Sequence, residues 1–175
     1  MRLAHPEDCS RLPEIERAAG AKFADFDFLS GIDDVGSVEW FEEAQSAGLL
    51  WVAADEADAP VAFALFEPLG AGLHLEEVDV HPEHGRQGLG ARLIDAGAAR
   101  ARELGHREIT LTTFRKIPWN APYYQRIGFR VLAREDWSPA LVEQVAEEAR
   151  GGLDPEKRVV MRRPVGDDER EGADA

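Results

Sequence analysis

The stretch "HPEHGRQGLGARLI", residues 81–94, combines residue types and spacing that could do chemistry. Glycine stands at positions 85, 88 and 90, directly before a helical pattern. Because glycine lets the backbone turn sharply, several N–H groups can point into one space at the positive end of the following helix. Such a loop suits the oxygens of a phosphate group. The alternative interpretation is a glycine-rich turn that binds nothing.

The residues around the loop argue against two familiar nucleotide-binding patterns and against a metal. A P-loop requires Lys and then Ser or Thr after its last glycine, whereas Ala91 and Arg92 stand there. A dinucleotide-binding fingerprint requires a third glycine where Leu93 stands. His81 and His84 have no further ligand at a supporting spacing, so we expect no metal site.

Two segments together resemble the signatures of a known enzyme family. "VDVHPEHGRQGLGARLI" is similar to the acyl-CoA signature of the GNAT superfamily of N-acyltransferases, a strand followed by [Gln/Arg]-x-x-Gly-x-[Gly/Ala]. Gly85 departs from this pattern, since it stands where the family has Gln or Arg. "PWNAPYYQRIGF" resembles the second signature through Asn120, Tyr124, Gly128 and Phe129. The resemblance covers nearly the whole chain, from "LAHPED" to "VVMRRP".

The resemblance implies a set of residues that bind the CoA group. The loop amides would hold the pyrophosphate, Asn120 would hydrogen-bond the pantetheine arm, and the Val80 N–H would donate to the thioester carbonyl, where negative charge develops. For Asn120 the alternative is a helix cap. The candidate cofactor-binding residues are Val78, Asp79, Val80, Gly85, Arg86, Gln87, Gly88, Leu89, Gly90, Ala91, Asn120 and Tyr124.

The reaction implied by the resemblance is direct transfer of an acyl group, with acetyl-CoA as the expected donor, to an amine. An alkylammonium has no lone pair, so a base must first remove a proton. Glu76 is the first candidate for this base or its water relay, and His74 is the second. Their alternative role is that of polar side chains on the wet face of a strand. Tyr124 is the candidate acid for the departing thiolate; its alternative is a packed tyrosine.

The order of the helices and strands that must position these residues predicts a mixed α/β fold rather than a doubly wound sheet. Resemblance and patterning together predict a GNAT-like central, mostly antiparallel twisted sheet of about seven strands flanked by helices, in the order β-α-α-β-β-β-α-β-α-β-α-β. "LHLEEVDV" alternates as a strand, with His74, Glu76, Val78 and Val80 on one face. Other predictions are a helix in "PEDCSRLPEIERAAGAKF" capped by Asp8 or Ser10, a second near 38–47, a hairpin from "LLWVAAD" and "VAFALFE", a helix over about 88–104, and a late helix with a stripe at Leu141, Val145 and Ala149.

Length and charge limit the protein's organisation and partners. The 175 residues suit a single domain over 1–164, followed by a frayed acidic tail over 165–175. The formal charge of −14 argues against nucleic acid and anionic membranes as partners and favours a cationic amine acceptor. A homodimer is left open.

Cysteine usage and the absence of long apolar segments predict a cytoplasmic protein. Cys9 is the single cysteine, so neither an internal disulfide nor a cysteine zinc cluster is expected. No stretch reaches the ~20 apolar residues of a membrane span, and "MRLAHPED" lacks the apolar segment of a signal peptide. The aromatic group Phe23, Phe26, Phe28 and Trp40 is expected in the core or along the acceptor site.

Two other function classes compete with an N-acetyltransferase. One is a CoA-binding sensor without turnover, and the other is a structural partner domain. Asn120, Tyr124 and a candidate base argue against the sensor, and a partner domain would not explain the placement of the glycines.

Overall fold

The computed structural model describes residues 1–24, 26 and 35–166, and its element order confirms the predicted one. Short 3-10 turns occur at Pro6–Arg11, Ala21–Phe23, Pro82–His84, Arg134–Asp136 and Pro155–Lys157. The strands are β1 Arg2–Leu3, β2 Leu50–Ala54, β3 Pro60–Leu69, β4 Gly72–Val80, β5 Glu108–Phe114, β6 Arg130–Val131 and β7 Arg158–Pro164. The helices are α1 Leu12–Gly20, α2 Val38–Ser46, α3 Leu89–Glu103, α4 Ala121–Arg126 and α5 Pro139–Arg150.

The strands form one sheet of seven strands in the order β1-β2-β3-β4-β5-β7-β6. The pairs β1–β2, β2–β3, β5–β7 and β6–β7 are antiparallel, which confirms the mostly antiparallel prediction. The pair β4–β5 is parallel, with Leu73 opposite Ile109 and His74 opposite Thr110. A parallel pair requires a long crossover connection, and α3 provides it.

One compact unit comprises Met1–Glu67 and Leu75–Gly97. Its buried core includes Phe41 and Phe63, whose rings meet edge to face with centroids 5.2 Å apart. On α3, a Cβ at Gly97 would lie 2.1 Å from the ring of Phe66 on β3, so only glycine permits this close approach. Burial of each large apolar side chain contributes about 1.5–3 kcal/mol to the free energy of unfolding. The buried core cluster of this unit contains Ala4, Cys9, Leu12, Ile15, Phe41, Ala44, Leu50, Val52, Phe63 and Leu65.

The other compact unit comprises Pro68–His74 and the chain from Ala98 onward. Its strands β5 and β7 pair along their full length, from Glu108 opposite Pro164 to Phe114 opposite Arg158. A largely buried ion pair joins α5 to this ladder. Arg158 Nη2 lies 3.1 Å from Glu148 Oε2, and both side chains are 13% exposed. The Thr112 hydroxyl donates to Glu148 and accepts from Arg158, so the network fixes α5 to both strands.

The predicted cap of the first helix was wrong. The chain enters α1 through the 3-10 turn Pro6–Arg11, and no side chain caps α1. Arg11, directly before α1, is already helical, with φ −97° and ψ −20°, so it lacks the extended backbone of an N-cap residue. Asp8 instead accepts from the His5 N–H at 2.8 Å and pairs with Arg2 at 2.6 Å.

Two further boundaries differ from the sequence analysis. Ala149 is exposed, so the apolar stripe of α5 ends before it. Val165, assigned to the tail, is buried, and its N–H donates to the Arg107 carbonyl at 2.9 Å.

Phe28 and the tail from 167 lie outside the described residues. Among the helices that are described, none is long and apolar enough to cross a bilayer. A single domain stays a prediction.

Candidate functional site

The candidate site residues fall into two groups. Those from Glu76 to Ala91 belong to the first unit and follow one another along β4, the loop and the start of α3. The others, His74, Asn120 and Tyr124, belong to the second unit.

The glycine loop presents backbone N–H groups at the start of α3. Arg86 and Gly88 have left-handed backbones, with φ of 59° and 72°. Such a backbone is uncommon for a residue other than glycine and tends to occur where a loop holds a ligand. The first helical hydrogen bond runs from the Arg92 N–H to the Gly88 carbonyl at 3.1 Å, so the N–H groups of 89–91 have no acceptor within the helix. These groups, with the helix dipole, suit a diphosphate.

The two loop glycines differ in what a side chain would meet. A Cβ at Gly88 would have no heavy atom within 4 Å among the described neighbours, so the space beside it is open. A Cβ at Gly85 would lie 3.1 Å from the Pro82 carbonyl oxygen, a tight contact. A side chain at position 85 would therefore require the Pro82 carbonyl to shift by a few tenths of an ångström.

The end of β4 directs the Val80 N–H away from β3. The His81 N–H donates to the Val61 carbonyl of β3 at 2.9 Å, and alternate N–H groups of a strand point to opposite edges. The Val80 N–H therefore points to the other edge, where the described ladder with β5 consists of Leu73 and His74. On that edge the Val78 N–H donates to the carboxylate of Glu77 at 3.3 Å.

The two candidate bases lie in different environments. Glu76 is half-buried, whereas His74 is 1% exposed and its Nδ1 lies 2.9 Å from the Thr110 hydroxyl. Burial, followed by the charge of Arg158, lowers the pKa of His74 to about 4. Burial keeps the imidazole of His74 from solvent, and its Nδ1 is already engaged by the Thr110 hydroxyl, so it is poorly placed to take a proton from an acceptor amine. Glu76 is therefore the better candidate of the two.

The burial of His74 predicts a loss of stability in acid. Its folded pKa lies below the ordinary value of 6.5, at about 4, so the unfolded chain binds more protons between these values. The contribution of His74 to the free energy of unfolding is complete above about pH 6.5 and is lost as the pH falls toward about 4. The loss amounts to about 3 kcal/mol. We expect urea unfolding of His74→Gln to lose this part of the pH dependence. His106→Gln is the control, and an unchanged slope in His74→Gln would contradict the assignment.

Asn120 carries a buried acceptor that nothing in the described structure satisfies. It directly precedes α4, but its side chain makes no capping hydrogen bond there, and its Nδ2 donates to the Thr113 hydroxyl at 2.8 Å. Its Oδ1 is buried without a hydrogen-bond partner among the described residues. A buried carbonyl left unpaired costs about 1–3 kcal/mol. An amide N–H, as in a pantetheine arm, is a donor that would fit it.

The adjacent tyrosines of α4 have different neighbours. The Tyr124 ring packs edge to face on Phe129, with centroids 5.7 Å apart. The Tyr123 ring instead lies 5.8 Å from the guanidinium of Arg126. Gly128, with φ 95°, ends the helix and lets the Phe129 N–H return to the Tyr124 carbonyl at 3.0 Å. This turn fixes the ring of Tyr124 against Phe129.

Sequence reasoning missed Thr113 and the pair Lys22–Asp79. The alternation of "EITLTTF" puts Thr113 on one face with Leu111, a signal that could have suggested it. Lys22 Nζ lies 3.8 Å from Asp79 Oδ1, and no local pattern could have joined residues so far apart in sequence. Asp79 was assigned to CoA binding, but its buried side chain faces Lys22, so any contribution to CoA would come from its backbone. No group of metal-ligating side chains occurs among the described residues.

Comparison with known proteins identifies the family and the fold. Residues 16–129, more than half of the chain, match the family described as "Acetyltransferase (GNAT) family". The PaiA N-acetyltransferase from Thermoplasma acidophilum, solved in complex with coenzyme A, is similar with a TM-score of 0.66 at 16% identity, covering 93% of this chain and 96% of that one.

Two other solved structures share the fold at similar identity. A GNAT-family acetyltransferase from Staphylococcus aureus Mu50 gives a TM-score of 0.70 at 17% identity, covering 93% and 96% of the two chains. The ribosomal-protein-S18-alanine N-acetyltransferase from Escherichia coli gives 0.61 at 19%, covering 94% of each. The chain belongs to the acetyltransferase (GNAT) family and is an acyl-CoA-dependent N-acyltransferase.

Proposed function

We propose that the chain transfers an acetyl group from acetyl-CoA directly to a primary amine of a small molecule or peptide. The loop from Gly85 to Ala91 carries this proposal, because its left-handed residues turn the chain so that the N–H groups at the start of α3 can bind a phosphate group. The buried, unpaired Oδ1 of Asn120 supports it, since a pantetheine amide would supply the missing donor.

Within this proposal each site residue has a chemical task. Glu76, directly or through a water, takes the proton that the acceptor ammonium must lose. The Val80 N–H donates to the thioester oxygen as negative charge develops there. Tyr124 gives a proton to the departing thiolate, whose ordinary pKa is about 8.5. His74 lies in the core and supports β4 through Thr110.

The acceptor is proposed to be cationic. The formal charge of −14 supports this, because an acidic surface raises the rate at which cations arrive. A cytoplasmic location is proposed on the single cysteine, Cys9, which is free and buried. A homodimer stays a prediction.

Thiol release separates this function from a sensor that binds CoA without turnover. Purified protein with acetyl-CoA and a panel of amines and basic peptides should release free thiol in proportion to acetylated amine. A CoA-dependent rise in melting temperature without any thiol release would instead identify a sensor. No thiol release and no rise would contradict the proposal.

The loop makes a specific prediction for Gly88→Asp. The carboxylate would lie in the open space beside position 88, where the diphosphate is proposed to bind, and repel it. We expect acetyl-CoA affinity to fall tenfold or more, about 1.4 kcal/mol, by calorimetry.

Gly88→Asn is the matched control, because it has the same shape and a similar tolerance for a left-handed backbone but no charge. It should retain most of the affinity. S-acetylpantetheine, which lacks the diphosphate, should bind the Asp and Asn variants equally. Equal acetyl-CoA affinity of the two variants would exclude the diphosphate from this loop.

A further inference from the structure

Lys22 holds its amine against a buried carboxyl. It follows α1, and its Nζ lies 3.8 Å from Asp79 Oδ1 and 5.2 Å from the centroid of the Phe23 ring. The Lys22 side chain is 43% exposed, whereas that of Asp79 is 8% exposed. The amine is thus paired with a buried carboxyl while it stays accessible to a molecule in solution.

The carboxyl beside this amine is a stronger proton acceptor than an ordinary aspartate. Burial raises the pKa of Asp79 well above its usual value, the charges of Glu77 and Glu16 raise it further, and Lys22 lowers it. The Lys22 charge favours the ionised form of this carboxyl, and a carboxylate with a raised pKa takes a proton from an ammonium more readily. Among the described residues, the charges of Glu77, Lys22 and Glu16 act on Asp79.

The amine also lies close to the proposed position of the thioester. Asp79 directly precedes Val80, so standard bond lengths put its carboxyl within about 5 Å of the Val80 nitrogen. Lys22 Nζ is then within roughly 9 Å of that nitrogen, and its flexible four-carbon stem can cover most of this distance by rotation.

We infer that Lys22 is a self-acetylation site, at which the protein transfers an acetyl group from acetyl-CoA to its own Nζ when no other acceptor is present. The inference rests on the proposed function, in particular on the thioester carbonyl at the Val80 N–H.

The transfer balances in atoms and charge. The Lys22 ammonium gives one proton to the Asp79 carboxylate, and the neutral amine attacks the thioester carbon. A C–N bond forms and the C–S bond breaks. The thiolate leaves, the second ammonium proton passes to it directly or through water to give CoA-SH, and Asp79 returns the first proton to solvent. The product amide is neutral, so the ion pair with Asp79 ends.

Three lysines in the chain, Lys22, Lys116 and Lys157, make the test simple. The full chain is incubated with acetyl-CoA and no amine, and acetylated peptides are mapped by mass spectrometry over time. We expect one acetyl group, on Lys22, and none after Lys22→Arg, which keeps the charge. Asp79→Asn should slow the labelling about 10²-fold, the contribution of a positioned base.

Lys157 is the matched control for chemical acetylation. Its Nζ is also paired, 2.8 Å from Asp154, and it is 45% exposed, but its carboxylate partner is 41% exposed rather than buried. Equal labelling of Lys22 and Lys157 would overturn the inference. A labelling rate constant that rises with protein concentration would overturn it as well, because the transfer would then occur between copies.

Failure of the inference and failure of the proposed function give different results. An unlabelled Lys22 in a protein that releases thiol with an added amine overturns the inference and leaves the function intact. An unlabelled Lys22 with no thiol release from any amine overturns both. Lys22→Arg keeps the test valid even if Asp79→Asn does not fold, which circular dichroism decides.

Discussion

Tyr124→Phe should lower kcat on the order of 10²-fold while acetyl-CoA binding and folding survive. The substitution removes the hydroxyl that is proposed to protonate the thiolate, but it keeps the ring. The edge-to-face contact with Phe129, at 5.7 Å between centroids, needs only that ring. Steady-state kinetics with a good acceptor, together with calorimetry of acetyl-CoA binding, would measure the two effects separately.

Tyr123→Phe is the matched control, because the two side chains are adjacent on α4 and point about 100° apart. It should change kcat little. If Tyr123→Phe is the impaired variant, the alignment of the second signature is wrong by one residue. If both variants keep the wild-type kcat, the proton donor is water or another group.

Glu76→Gln should lower kcat/KM by about 10²–10⁴-fold at neutral pH with an alkylamine acceptor. The amide cannot take the ammonium proton, although it keeps the shape of the side chain. An acceptor with a low pKa, already deprotonated at neutral pH, should recover much of the lost rate because it does not need that step. This dependence on the acceptor pKa separates a lost base from a distorted site.

Glu77→Gln is the control for the neighbouring position. Glu77 Oε1 accepts from the Val78 N–H at 3.3 Å, and a glutamine oxygen can accept in the same way. Its kcat/KM should stay close to the wild-type value. A large loss in Glu77→Gln with normal activity in Glu76→Gln would move the base to the opposite face of β4.

The order of the elements and the position of the loop could be predicted because they depend on local sequence. Alternation identified β4, and the glycines before an apolar helical pattern identified the start of α3. Ser138 and Pro139 likewise mark the start of α5, where the Ser138 hydroxyl accepts from the Leu141 N–H at 3.2 Å. In each case a few neighbouring residues determine the structure.

The environment of each site residue could not be predicted, because it depends on groups far away in sequence. His74 was a candidate base until its packing beside Thr110 and near Arg158 was known. Asn120 could equally have capped α4 through its side chain, and only the structure shows that no such hydrogen bond forms and that its amide contacts Thr113. Desolvation and pairing across the sheet have no signature in a short window of sequence.

The ion pair between Glu148 and Arg158 limits how this chain can change over evolutionary time. Loss of either partner alone leaves a charge in a mostly dry environment, which is strongly destabilising, whereas replacing both with apolar residues of similar volume is often neutral. Single substitutions at these positions are therefore expected to be selected against, whereas a double substitution can be tolerated. Thr112 belongs to the same unit, since its hydroxyl contacts both partners. The three positions should be inherited as a set, and a homologue that has lost one of them should have lost the others.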